Sequence, residues 1–394
     1  MPSTKIRALS HNPIAPEANK TQIRQKEKLQ PAKLLIIGGR PVLVPTQSHA
    51  DRNRAYNLKI ALAFAAIYLI WGSTYLAIRY AVETIPPLVA AGIRHTIAGS
   101  ILLAWACLRG YRPKREHWIA GIAVGALFFL VGHGSLHWAE QYVASGLAAL
   151  LIATEPMFIL VLAWLAGQQR ISRISALGLG LGVVGVAILL GAELTMKGSS
   201  LLGLIAVLVG SLSWAGGVVV SAKVKLPTDA LARTAVPLLC GAVMLLLAAG
   251  LTGEFHATHW ASISLRSIMG LAYLVVFGSI VAFTSYTWLL QQCPPALVAT
   301  HTYANPVVAM LLGWLLASEP LTVRVVVASV AILGAIVLIR RGERAVQTSA
   351  SSMSAELQPA LQEAGLPETG LPKTGLPKTA LPKTALPETI GRVS

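Results

Sequence analysis

Ten long apolar runs divide the middle of the chain, at residues 58–82, 88–108, 118–138, 143–167, 174–192, 200–221, 231–252, 267–290, 296–317 and 321–340. Each is about 20 residues long, the length an α-helix needs to cross a hydrocarbon core of roughly 30 Å. Short turn or charge signals separate them, among them ETIPP, RGYRPKRE, QQRISR, KVKLPTD and CPP. Barrel strands alternate over about ten residues, so continuous runs of this length predict helices. The expected fold is all-α and integral to the membrane, with ten transmembrane helices.

The flanks read differently. Residues 1–57 are basic and mostly polar, and their one apolar patch, LLIIGG before Arg40, is too short and too far along for a signal peptide. Residues 342–394 are also polar and end in GLPET GLPKT GLPKT ALPKT ALPET. A proline in every repeat forbids continuous helix there and favours extended chain. Both flanks are expected to be disordered cytoplasmic tails.

Composition narrows the class. Apolar residues make up 55% and charged residues 12% of the 394, with a mean hydropathy of +0.65. A soluble domain carries roughly 25% charged residues to cover its surface, so a soluble enzyme, a nucleic-acid binder and a disulfide scaffold are all excluded. The net charge of +16 resides in tails and short loops, where multispanning proteins keep it. With the N-terminus inside, fifteen Lys and Arg fall on cytoplasmic positions from Arg52 to Arg344, against Arg79, Lys197, Arg266 and Arg324 outside. Both termini are therefore expected in the cytoplasm. Cys107, Cys240 and Cys293 lie in or beside apolar segments and call for no disulfide.

The runs also repeat. Shifted by 150, Leu147, Ala149, Pro156, Leu162, Trp164 and Leu165 fall on Leu297, Ala299, Pro306, Leu312, Trp314 and Leu315. Shifted by 143, Leu69 and Trp71 fall on Leu212 and Trp214. Two five-helix halves, 58–192 and 200–341, are thus related. Because five is odd, the second enters the membrane upside down. Inverted repeats with a site at their interface near the midplane are the architecture of alternating-access transporters.

The segments WGSTYLAIRYAVETIPPLVAAGIRHTIAGS, AEQ, ATEPMF, GSLSWA, FGSIVAFTSY and THTYANPVVAMLLGWLL resemble EamA-type members of the drug/metabolite transporter superfamily. The resemblance covers residues 58–341 and neither tail. It implies two inverted EamA repeats in the cell inner membrane and export of small metabolites or drugs. His133, His137 and Glu155 depart from it, standing where Asn, an apolar residue and Val are expected.

Candidate site residues follow from polarity within the runs. Glu155 lies about 18 Å into its helix at 1.5 Å per residue, too deep for an idle carboxylate. Its repeat mate is Asn305, and each precedes a proline, Pro156 or Pro306, that frees the carbonyl of Ile152 or Thr302. These positions suit a substrate or proton site, with the prolines as hinges. Arg94 could pair with Glu155 or Glu140, or hold a substrate carboxylate, whereas Arg79 reads as an interfacial anchor. Trp71, Thr74, Tyr75, Trp214, His301 and Tyr303 supply aromatic and hydrogen-bonding groups for an amphiphilic solute, although packing is the better explanation of any single one of them. His133, His137 and Glu140 share a helical face near the outer interface, which suits a pH-sensitive outer gate better than a metal site.

Two motifs are decoys. Gly180-x-Gly182-x-x-Gly185 matches a dinucleotide fingerprint but has no preceding strand. Gly178 and Gly182 instead form a GxxxG suited to close helix packing or a homodimer. LPETG at Leu366–Gly370 matches a sorting signal but has no apolar segment after it. With no GxxxxGK[ST], the expectation is a secondary exporter of small organic molecules, amino-acid-like or amphiphilic, driven by protons or exchange. No cofactor, metal or nucleic acid is expected; the partners are the small-molecule substrate and the lipid bilayer. A membrane transferase or hydrolase using Glu155 and His133 is the rival, and a non-transporting membrane subunit is a third reading.

Overall fold

A computed structural model describes residues 32–37, 40–45, 49–167, 169–193, 200–293, 295–298 and 300–363. Residues 1–62 and 63–394 form two compact units. In the first, β1 (Ala32–Ile37) pairs antiparallel with β2 (Arg40–Pro45), Leu34 opposite Leu43 and Leu35 opposite Val42. The sequence predicts irregular chain here. The hairpin forms instead because LLII and PVLV are β-prone and flank the GG pair.

Ten helices follow. They are α1 (His49–Ala81), α2 (Pro87–Leu108), α3 (Arg115–Ala139), α4 (Ser145–Leu165) and α5 (Arg173–Glu193) in the first half. The second half contains α6 (Ser200–Ser221), α7 (Ala230–Leu251), α8 (Leu265–Gln292), α9 (His301–Ala317) and α10 (Val323–Glu363). Among the described residues, nine are long and apolar enough to cross a membrane as single spans. The tenth, α9, has 17 residues and is preceded by a turn of helix at Pro295–Val298. The membrane fold is the expected all-helical one.

Two flanking expectations are corrected. α1 starts at His49, ahead of residue 58, and α10 runs on to Glu363 instead of ending near 341. Residues 343–358 contain no proline, and the helix continues through Pro359 to Glu363. The LPxT repeats and residues 1–31 lie outside the described residues.

Counterpart helices pack on each other. α2 lies along α7, and α5 along α10, as a pseudo-twofold axis through each pair requires. Close approach on α5 comes from Gly178, Gly182 and Gly185, where a Cβ would meet the Ala335 carbonyl, Met157 or Ile332. The GxxxG stripe is therefore filled by α10 and by Met157 within this chain. One apolar core joins Ile78, Ile85, Leu136, Leu150, Leu151, Leu204 and Ile332, and a second joins Leu102, Phe129, Leu238 and Leu245. Leu177, Val183, Leu247 and Val330 are exposed, as lipid-facing surfaces must be. In the α7–α8 connection Glu254 accepts from the N–H groups of Leu88 (3.0 Å) and Val89 (3.1 Å), capping α2. Burial pushes its carboxyl above the usual range, and those two donors pull it back.

Candidate functional site

Both α3 and α8 contain a π-helical segment, Ala126–His133 and Leu274–Val281, at corresponding places in the two halves. A π turn misaligns the backbone ladder and leaves carbonyls in need of other donors. Here the other repeat supplies them. Ser213 of α6 donates to the Leu127 carbonyl at 2.8 Å, and Trp71 Nε1 of α1 donates to the Gly278 carbonyl at 3.1 Å. The same turns swing side chains inward. Ser279 accepts from Arg94 Nε at 3.1 Å, and His133 stacks on Trp214 at 5.1 Å.

Between the two halves lies a cavity of about 870 Å³. Two aromatic clusters flank it in repeat-related fashion. Trp71 meets Phe283, Tyr286 and His301 at 5.4, 5.2 and 4.9 Å between ring centres. Trp214 meets Phe128 and Phe129 at 4.4 and 6.0 Å. Of the expected residues, Glu155, Asn305, Arg94, Trp71, Thr74, Tyr75, Trp214, His301, His133, Pro156 and Pro306 all line this space.

Several residues sit differently from expectation. Tyr303 is not among the lining residues; it packs on the apolar core and turns toward Arg340. One helical step of 100° on α9 separates it from Thr302, which does line the cavity. His137 and Glu140, at the end of α3, are enclosed, 0% and 2% exposed. Arg94 bonds Ser279, and among the described residues no ion pair joins it to Glu155 or Glu140. Arg79 pairs with Glu319.

The prolines differ from each other. α4 breaks at Ala153–Thr154, so Glu155 and Pro156 open its second half, and the Ile152 carbonyl faces Ser211 Oγ at 3.5 Å. Pro306 sits inside the unbroken α9. Its neighbour Asn305, with the amide turned to satisfy its surroundings, donates to the carbonyls of Tyr68 (3.3 Å) and His301 (3.0 Å). The two positions are equivalent in sequence and unequal in structure.

At one end the cavity lining reaches Arg233, Gln291 and Arg340, beside the basic α6–α7 connection. At the other end, Glu319 joins three elements. Besides Arg79 of α1, it accepts from Ser145 N (2.8 Å), Ser145 Oγ (2.9 Å) and Gly146 N (3.0 Å) at the start of α4. Ser318, at φ 54°, turns the chain so that this carboxylate points back. Glu319, Ser279, His95 and the π turns carry no motif; the glycines at 132, 134 and 278 are their faintest trace in the sequence.

Comparison with known proteins agrees with this architecture. The EamA-like transporter family matches residues 58–191 and 201–341, one match per half. The chain is 38% identical over 283 residues to "Uncharacterized inner membrane transporter YedA" of Escherichia coli (strain K12), covering 71% of this chain and 90% of that one. It is 27% identical over 278 residues to "Uncharacterized transporter YoaV" of Bacillus subtilis (strain 168), covering 70% and 94%. A transporter of Archaeoglobus fulgidus is 24% identical over 287 residues, 72% of this chain and all of its own length.

Proposed function

This chain belongs to the EamA-like transporter family and is a multi-pass membrane transporter; from that premise we propose that it exports small organic molecules across the inner membrane by alternating access. The observation that carries the reading is the cavity of about 870 Å³ between the repeats, walled by aromatic rings from both. A space of this size holds one drug-sized solute. Glu155 is the one carboxylate of the lining, and Arg94 is a cationic group of its wall apart from Arg233 and Arg340 at the basic end. The solute class that uses both is amphiphilic or amino-acid-like, its amine toward Glu155 and its carboxylate toward Arg94.

The positive-inside rule assigns the basic end to the cytoplasm, with both termini there. On that assignment the cavity is open inward, and the Glu319 cluster closes the outer side. Export then requires this cluster to part as the basic end closes. No nucleotide motif is present in the sequence, so a gradient of protons or solute exchange drives the cycle.

The experiment is growth of an overexpressing strain across a panel of amino acids, cationic dyes and antibiotics, followed by efflux from proteoliposomes of the solute it singles out. Saturable efflux is expected, and Glu155→Gln should reduce it about tenfold, the effect of losing one charge-assisted contact of roughly 1.5 kcal/mol. Absence of saturable movement for every class in the panel would sink the reading.

A further inference from the structure

A second polar cluster lies behind the cavity wall. His95 of α2 is 1% exposed and His137 of α3 is 0% exposed. His95 Nε2 and His133 Nδ1 share a hydrogen bond of 2.9 Å, and His137 Nδ1 donates to the His133 carbonyl at 2.8 Å. Glu140 follows His137 by three residues, on the same helical face, and is 2% exposed. Four of the cluster's polar atoms are enclosed without a hydrogen-bond partner: His95 Nδ1, His137 Nε2 and both Glu140 carboxylate oxygens.

Counting protons shows what is missing. A neutral imidazole carries one proton, and that of His137 is on Nδ1, so its Nε2 is a bare lone pair. An ionised Glu140 adds two more acceptors. The tautomer of the His95–His133 pair decides whether His95 Nδ1 is a donor or an acceptor, but the bare Nε2 of His137 and the oxygens of an ionised Glu140 lack donors in either case, and an enclosed carboxylate without a donor is strongly unfavourable. One added proton relieves this.

We propose that His95, His133, His137 and Glu140 form a proton-binding site that fills from the central cavity through His133 and acts on the closure at Glu319 through the charge of Glu140. It rests on the reading of the chain as a driven transporter and supplies the site at which the drive enters. His133 is the member that lines the cavity. At the far side, Glu140 lies within reach of the charges of Glu319, Arg79 and Arg94. A proton on Glu140 removes its repulsion of Glu319 and favours the closed arrangement; its departure favours opening.

The other ionisable groups around the cluster are few. α1 brings Tyr75 and Arg79, α2 brings Arg94, and the α9–α10 connection brings Glu319. From α4, Glu155 acts on Tyr75 beside the cluster and on Tyr286 across the cavity. Among the described residues, α6 has no charged side chain. On α7, Arg233 lines the basic end of the cavity and Cys240 faces the Trp118 carbonyl. Three imidazoles could also suggest zinc, but among the described residues no three His, Cys, Asp or Glu converge as metal ligands.

The test uses the full chain with 15N-labelled histidine in lipid nanodiscs, the resonances assigned with His95→Asn, His133→Asn and His137→Asn. At least one cluster imidazole is expected to move between its neutral and charged 15N shifts as the bath is acidified. Glu140→Gln, which removes the negative charge, should lower the midpoint of that change by about one pH unit, tenfold in proton affinity. Unchanged His117, His256 and His259 signals show that the variant is folded. Cluster resonances that never move, or that Glu140→Gln leaves in place, overturn the proposal, as does stoichiometric Zn2+ binding to the cluster. A protein that exports solute without this titration loses this site alone; one that titrates but moves no solute loses the transport reading.

Discussion

Glu319 ties the α9–α10 connection to both α1 and α4. It is 6% exposed and accepts from one guanidinium, two backbone N–H groups and one hydroxyl. Charge-assisted bonds of this kind contribute about 1.5–3 kcal/mol each. Glu319→Gln keeps the shape but removes the charge and turns an NH2 group toward donors. It is expected to shift the protein toward opening at this end. In a background with Cys107, Cys240 and Cys293 replaced, a cysteine at Ile78 should then react faster with an impermeant maleimide added on the side away from the basic loops. Unaltered labelling would show that Glu319 does not hold the end shut. The sequence singles out Glu155 and passes over Glu319, because depth along a helix is countable and a loop carboxylate looks solvated. What lifts Glu319 is Ser318 in a left-handed conformation, which turns it onto α4.

At the scale of elements, the paired π turns are the decisive feature. Each rotates the following half-helix relative to a regular α path, and in α3 this brings His133 onto Trp214 and beside His95. Deleting Leu130 would restore the regular pitch and turn the residues after it by about 100°. The span, 25 residues long, remains sufficient to cross the bilayer. The expected outcome is a folded protein with transport reduced more than tenfold, checked by efflux and by thermal unfolding in detergent. Transport at the wild-type rate would show that the turn does not position the site. The break in α4 beside Pro156 and the continuity of α9 through Pro306 teach a related lesson. The sequence marks both prolines as candidate hinges, but proline only removes a bond, and neighbouring helices decide whether the helix parts there.

For the whole molecule, the pairing of α5 with α10 fastens the ends of the two halves together. Gly182→Leu would drive a side chain into Met157 and Ala335. Overpacking of this kind costs about 1–3 kcal/mol. A lower melting temperature with the oligomeric state unchanged is expected, by differential scanning fluorimetry and light scattering. A variant that melts normally but loses a dimer would instead place the stripe on a surface between copies. The sequence left both uses of this GxxxG open, and the close helix packing is the one seen within the chain.

The amino-acid sequence by itself determined the ten spans, the two related halves and the cationic asymmetry of the loops. All three are properties of local composition or of one segment compared with another, and no contact need be known to read them. It also placed Trp71, Trp214, Glu155 and Arg94 in the membrane interior. The structure alone decided which way each helix faces. In lipid both the packed and the lipid-facing sides of a helix are apolar, so the periodic signal that orients a helix in a soluble protein is weak. His95, Ser279 and Glu319 acquire their partners only when rotation, π turns and a left-handed residue bring distant segments into register.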